Sequence, residues 1–209
     1  MRFLLLINCF LLFSCGSAYK TLVPAEGDPG CLQKFKPRFT TNWYEANVDV
    51  MGNHISGLML FKLMPDSSMR IAFTSKSGLK FLDFEFTKNG QFKSHYVIDN
   101  LNKKVVINTL RKDFEIILMH SLDEWPILSY SKSDLYYYAV PDPDNDADYY
   151  VTSLDCTNLV RVEQGGRKKV LEAFFRNYDN RIPGEITLNH TTFNMKISLI
   201  KLDIENANQ

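Results

Sequence analysis

Hydrophobic and polar positions alternate along most of the chain with a period of two, the period of a strand that buries one face. Tyr44, Ala46, Val48 and Val50 alternate with Glu45, Asn47 and Asp49. The next run, residues 54–63, is apolar on both faces in its middle, Leu58 and Leu60 against Met59 and Phe61. Pro65-Asp66-Ser67-Ser68 turns the chain into a strand at 69–74, and Ser77-Gly78 into another at 79–86. In that strand Leu82, Phe84 and Phe86 share one face, and Asp83 and Glu85 point the other way as a water-facing stripe. Asn89-Gly90, a pair suited to tight hairpins, leads into a strand at 92–98. Five strands joined by short turns predict an antiparallel meander.

Residues 102–120 break the pattern. Val106, Leu110, Phe114, Ile117 and Leu118 recur at helical spacing, with Lys103, Arg111, Lys112 and Glu115 on the other side. Asp99 or Asn100 is positioned to cap such a helix, although Val105-Val106-Ile107 also reads as a strand. Trp125-Pro126 closes the region. Strands then resume at 133–140, 149–154, 159–163, 168–178, 185–189 and 193–204, with turns at Gln164-Gly165-Gly166-Arg167 and Asn189-His190-Thr191-Thr192. About eleven strands in one antiparallel sheet are too many to stay flat. The expected fold is therefore mainly β, a curved antiparallel sheet or half-open β-barrel with one inserted helix.

The amino terminus has a different character. Arg2 precedes an apolar run from Phe3 to Phe13 interrupted by Asn8 and Cys9. Eleven residues rise only about 16 Å as a helix, short of the roughly 30 Å hydrocarbon core of a bilayer, so residues 1–14 read as a signal peptide. Leu12-Phe13-Ser14-Cys15-Gly16 resembles the lipobox of bacterial lipoproteins, in which the cysteine takes a diacylglyceryl group and becomes the first mature residue. The rival reading is ordinary cleavage after Gly16-Ser17-Ala18. Residues 15–41, with Pro24, Gly27, Pro29, Gly30 and Pro37, are expected to be the lipidated amino terminus and a linker, and 42–205 the β-rich domain.

Composition narrows the function. Lys and Arg total 24 against 24 Asp and Glu, and removing Arg2 leaves one acidic residue in excess. No basic surplus exists to neutralise phosphates, which argues against a nucleic-acid partner. Cys31 and Cys156 remain after the leader and Cys15 are set aside. In an exported protein they form either a disulfide or two separate thiols.

The order of a lipobox cysteine, a meander carrying Ser56-Gly57-Leu58-Met59, a helix after the fifth strand, and Ile182-Pro183-Gly184-Glu185-Ile186-Thr187-Leu188 before a closing strand resembles the outer-membrane lipoprotein receptor LolB and its periplasmic carrier LolA. The resemblance lies in element order over about residues 42–204. It implies a curved sheet whose concave face binds acyl chains, with acylated lipoproteins as cargo and no enzymatic activity. Gly16 instead of Asp follows the cysteine, so the inner-membrane retention signal of some Gram-negative lipoproteins is absent, and an outer-membrane lipoprotein of a Gram-negative cell is expected, facing the periplasm and held by its lipid anchor (palmitate-type acyl chains on Cys15). That receptor engages the membrane through an exposed apolar loop residue, for which Leu63 or Met64 is the loose match.

Leu58, Leu60, Phe73, Leu82, Phe84, Phe86, Phe174 and Met195 are the candidate ligand-binding wall, since a fatty chain requires dry aliphatic and aromatic surroundings. The same residues also fit an ordinary core. Asp142, Asp144, Asp146 and Asp148 alternate like the first half of a calcium loop, but Ala147 stands where Gly is needed and Ser153 where Glu is needed, so a solvated loop is the competing reading. His54, His95, His120 and His190 lack metal spacing, and no nucleophile or phosphate-loop motif occurs. No cofactor is expected. The alternative function is a tethered, non-enzymatic interaction module with envelope protein partners.

Overall fold

The computed structural model describes residues 18–50, 52–123, 126–141 and 146–203. Cys15, Trp125, Asp142 and Asp144 lie outside the described residues. Thirteen strands form one sheet: β1 (Val23–Pro24), β2 (Thr41–Val50), β3 (Asn53–Leu63), β4 (Met69–Thr74), β5 (Lys80–Phe86), β6 (Phe92–Val97), β7 (Leu128–Lys132), β8 (Leu135–Pro141), β9 (Ala147–Ser153), β10 (Leu159–Gly165), β11 (Lys169–Asp179), β12 (Ile182–His190) and β13 (Met195–Lys201). Their order is β1-β7-β8-β9-β10-β11-β12-β13-β2-β3-β4-β5-β6. Every ladder is antiparallel, and the sheet curves without closing, since β1 and β6 remain as edges. Among the described residues one α-helix, α1 (Lys104–Leu118), follows β6.

All eleven expected strands are present, and two more were missed. β7 has a clear alternation, but its hairpin to β8 turns through Ser133 and Asp134, both at positive φ. That backbone usually announces itself through Asn-Gly, and no glycine marks it here. β1 is two residues long, too short to show a period. The helix is two residues shorter at each end than the expected 102–120. Its N-cap is Lys103, with no side-chain cap, because Asp99 and Asn100 are taken up in a separate 3₁₀ turn.

Register fixes which side chains share the concave face. Tyr138, Tyr150, Val162, Ala173, Leu188, Ile197, Val48 and Ile55 lie directly opposite one another from strand to strand, and all belong to the core or pack on it. Beyond Ile55 the same face continues through Met59, Phe73, Leu82 and Val97. Gly57 lies between Ile55 and Met59 on this face; a Cβ there would meet the Thr74 carbonyl at 2.0 Å and the Phe73 ring at 3.0 Å, so only glycine lets β4 approach β3 this closely.

The expected linker is not a free spacer over its described part. Tyr19 stacks on Tyr149 on the convex face at 3.8 Å, and β1 then borders β7 at the sheet edge. The chain continues on the concave side through a 3₁₀ turn, Pro29–Lys34, which buries Leu32. Cys31 is joined to Cys156 there, at a sequence separation of 125. Phe39 stacks on Phe61 at 4.5 Å, and Tyr178 donates its hydroxyl to the Phe35 carbonyl at 3.0 Å. Proline and glycine content pointed to a spacer, whereas Leu32, Phe35 and Phe39 supply enough apolar surface to dock the segment.

Candidate ligand-binding site

The two ends of the curved sheet differ. At one end lie the turns after β3, β9 and β11, and there the arm of residues 28–39, the disulfide and Phe39 fill the concave space. At the other end lie the turns after β2, β4, β10 and β12 and the start of α1, and a cavity of about 310 Å³ opens between helix and sheet. That volume is at the low end of the range of roughly 300–1,000 Å³ for small-molecule sites and about twice a 150 Å³ dry cavity that takes up benzene.

Each wall comes from a definable element. β2 supplies Val48 and Val50, β3 Ile55 and Met59, β4 Phe73, β5 Leu82, and β13 Met195 and Ile197. The helix supplies Val105, Val106, Thr109, Leu110 and Phe114, preceded by Leu101. Thr109 carries the one hydroxyl in this lining; everything else is hydrocarbon or thioether. The deep end is sealed by Phe114, which meets Phe61 and Phe84 edge-on at 6.3 and 6.0 Å. The mouth is framed by Val105, 77% exposed at the helix start, and Phe193, 40% exposed in the turn after β12.

The lining is mostly aliphatic, whereas aromatic rings crowd the closed end. Val48 and Val50 of β2 and Val105 and Val106 of α1 all belong to this lining. An empty apolar cavity forfeits dispersion contacts and weakens packing. An alkyl chain restores those contacts, and with a single hydroxyl in the lining a polar or charged group has nothing to satisfy it inside.

One buried polar contact pins the helix over the cavity. His190 Nε2 at the end of β12 lies 2.9 Å from Asp113 Oδ1, and both side chains are nearly inaccessible. Burial pushes the Asp113 carboxyl above its ordinary value, and the neighbouring His190 opposes that shift. Asp113 is one turn from Thr109 and adjacent to Phe114, so this pair fixes the stretch of helix that forms the cavity roof.

Phe73, Leu82 and Met195 of the expected wall line the cavity. Phe84 and Phe86 are buried on the same face but belong to the packed region toward the closed end. Leu58, Leu60 and Phe174 do not join them. They sit half-buried on the convex face, where the Arg176 guanidinium lies over the Phe174 ring at 5.6 Å. Their strand neighbours Met59, Phe61, Ala173 and Phe175 take the inward positions. Val105, Phe193 and the β2 valines were missed.

Asp83 and Glu85 point away from Leu82, Phe84 and Phe86 as expected, which puts them on the convex face, but they are covered instead of water-facing. Arg70 bonds Asp83, Lys80 reaches Asp83 at 2.9 Å, and Lys93 and His95 reach Glu85 at 3.3 and 2.7 Å. The Arg70 hydrogen bond holds the Asp83 carboxyl low, and the His95 hydrogen bond does the same for Glu85. This is an ion-paired stripe on the outer surface. Asp148 is buried in β9, where Gln164 Nε2 donates to it at 3.0 Å, and Asp146 lies just before that strand. Among the described residues no three His, Cys, Asp or Glu side chains converge as a metal site. Tyr138 is core, and Tyr137 accepts from Arg161 at 3.0 Å, so the tyrosine run packs across strands.

No known family's sequence pattern matches the chain, and no curated protein matches it in sequence. A solved structure shares its fold. A domain assigned to outer-membrane lipoprotein sorting from Vibrio parahaemolyticus superposes with a TM-score of 0.51 at 7% identity, over 84% of this chain and 90% of that one. A DUF1329 family protein from Desulfovibrio piger gives a TM-score of 0.44 at 8% identity, over 84% and 90%. At such identity the Vibrio likeness establishes the fold: one large, open, curved antiparallel sheet with a helix on its concave side.

Proposed function

We propose that the chain is a lipoprotein of a Gram-negative cell envelope, anchored through Cys15, that holds an acyl chain non-covalently between α1 and the sheet. Acylated lipoprotein cargo or a membrane lipid supplies that chain, and the protein performs no catalysis on it. The observation that carries this reading is the cavity itself: about 310 Å³, hydrocarbon-lined but for Thr109, and open to solvent beside two exposed apolar side chains. The Lol-type fold supports it as a scaffold suited to such a cavity. Among the described residues no helix is long and apolar enough to cross a membrane; separately, on this reading acyl chains on Cys15 attach the protein.

The test is chemical. Full-length protein, expressed in a Gram-negative host and purified, is digested for its amino-terminal peptide and separately extracted with organic solvent. A diacylglyceryl thioether on Cys15 and about one acyl-bearing lipid per protein in the extract are expected. A mature chain beginning at Tyr19 removes the anchor, and a protein that never carries extractable lipid removes the ligand.

A further inference from the structure

The first described residues sit at the same end of the sheet as the cavity mouth. The Ala18 amide donates to the Arg167 carbonyl at 3.1 Å in the turn between β10 and β11, and Tyr19 is clamped flat on Tyr149. That turn neighbours the β12–β13 turn, which is tied to the start of β11 by the Thr191 amide on the Val170 carbonyl at 3.0 Å and which carries Phe193. With strands about 4.8 Å apart, the point where the chain enters the domain is roughly 10–15 Å from the mouth. Ala18 is three positions along the chain from Cys15, with Gly16 and Ser17 between them, at most about 11 Å of extended backbone.

This end also exposes apolar side chains at its outermost turns: Val105 at the helix start, Phe193 after β12 and Leu79 after β4. The first two belong to the cavity lining, so the exposed rim is continuous with the apolar interior. Charge is mixed here, with Lys103, Lys104, Arg167 and Lys168 alongside Asp49, Asp99 and Asp146 in these turns. At the far end Leu63 and Leu154 are exposed, but Leu154 adjoins the polar turn of Asp155, Thr157 and Asn158, and neither lines the cavity.

We infer that the open end of the sheet rests on the lipid bilayer, with Val105, Phe193 and Leu79 entering the headgroup boundary and the cavity mouth facing the acyl chains. A short tether leaving at this end holds the rim against the surface it came from, and the apolar rim gains by burial there. An acyl chain then passes between bilayer and cavity without crossing water. The inference rests on lipidation of Cys15 but not on occupancy of the cavity. It also sets the bilayer contact at the end opposite Leu63 and Met64.

The experiment places an environment-sensitive dye at one of two exposed positions, Asn194→Cys beside Phe193 or Lys62→Cys beside Leu63, in the full-length lipidated chain. Cys31 and Cys156 are bonded to each other and leave the new thiol as the labelling site. The protein is reconstituted in vesicles of phosphatidylethanolamine and phosphatidylglycerol containing nitroxide-labelled lipid. Quenching at least about threefold greater at position 194 than at 62 is expected. In V105S/F193S the protein remains on the vesicles through its anchor while quenching at 194 falls by half or more. Equal quenching, greater quenching at 62, or none at either site overturns the inference. Cavity occupancy is read separately by lipid extraction, so either result stands without the other.

Discussion

The two ends of this sheet are built from the same strands and finished in opposite ways. At the closed end the chain doubles back over its own concave face, and Leu32, Phe35 and Phe39 fill the space with a disulfide holding the arm in place. At the open end the roof is a helix, the walls are mostly aliphatic and methionine side chains together with Phe73, Phe114 and Phe193, and a void remains. Hydrophobic burial alone therefore does not decide whether a curved sheet encloses a core or a binding site. What decides it is whether a second segment is delivered to the hollow and fixed there.

The largest effect is expected from loosening the closed end. Replacing Cys31 and Cys156 together by serine releases a constraint across 125 residues, worth about 5 kcal/mol by loop-closure entropy, read as a lower urea midpoint. Uptake of hydrophobic ligand at the open end is expected to persist wherever the variant is folded. If ligand uptake fell in proportion to stability, the two ends would not be separable.

A smaller effect concerns the pair that pins the roof. The Asp113 carboxyl lies above its ordinary value of 3.8 through burial. A raised acid favours the neutral form in the folded protein, so this group costs nothing below its unfolded value and costs progressively more as pH rises through the folded one. Asp113→Asn is expected to stabilise the protein at neutral pH by no more than about 1 kcal/mol and to flatten the decline in stability above pH 4. The lowered carboxyls of Asp83 and Glu85 act in the opposite sense: their contribution is present above 3.8 and 4.5 and is lost as pH falls through their lowered values. Chemical denaturation from pH 3 to 8 separates the two, because Asp113→Asn alters only the upper part of the curve.

Much of the fold was legible because it depends on local alternation. β2 to β6 follow the period-two pattern, and α1 follows a helical one despite its β-branched start. The wall was read less well, and the reason is parity. Residues 58–61 are all apolar, so that short window has no preferred face. The flanks settle it: Ser56 and Lys62 share a face with Leu58 and Leu60, and Ile55 shares one with Met59 and Phe61. Glu172 and Arg176 place Phe174 outward in the same way. Phe193 was assigned to a strand, but it lies in the turn, where exposure makes it part of the mouth. The arm was legible only as far as the open choice between a Cys31–Cys156 disulfide and two separate thiols, because its docking also depends on rings more than a hundred residues away in sequence.

The most direct measurement titrates the delipidated protein with a fluorescent fatty acid and competes it with palmitate, using two tryptophan variants. Thr109→Trp places an indole in the cavity, whereas Ile200→Trp adds one on the convex face, where Ile200 is 51% exposed. Saturable uptake near one per protein is expected, displaced by palmitate, at least tenfold weaker in Thr109→Trp and unchanged in Ile200→Trp. Absence of saturable uptake, or uptake indifferent to the indole at position 109, would contradict a binding cavity between α1 and the sheet.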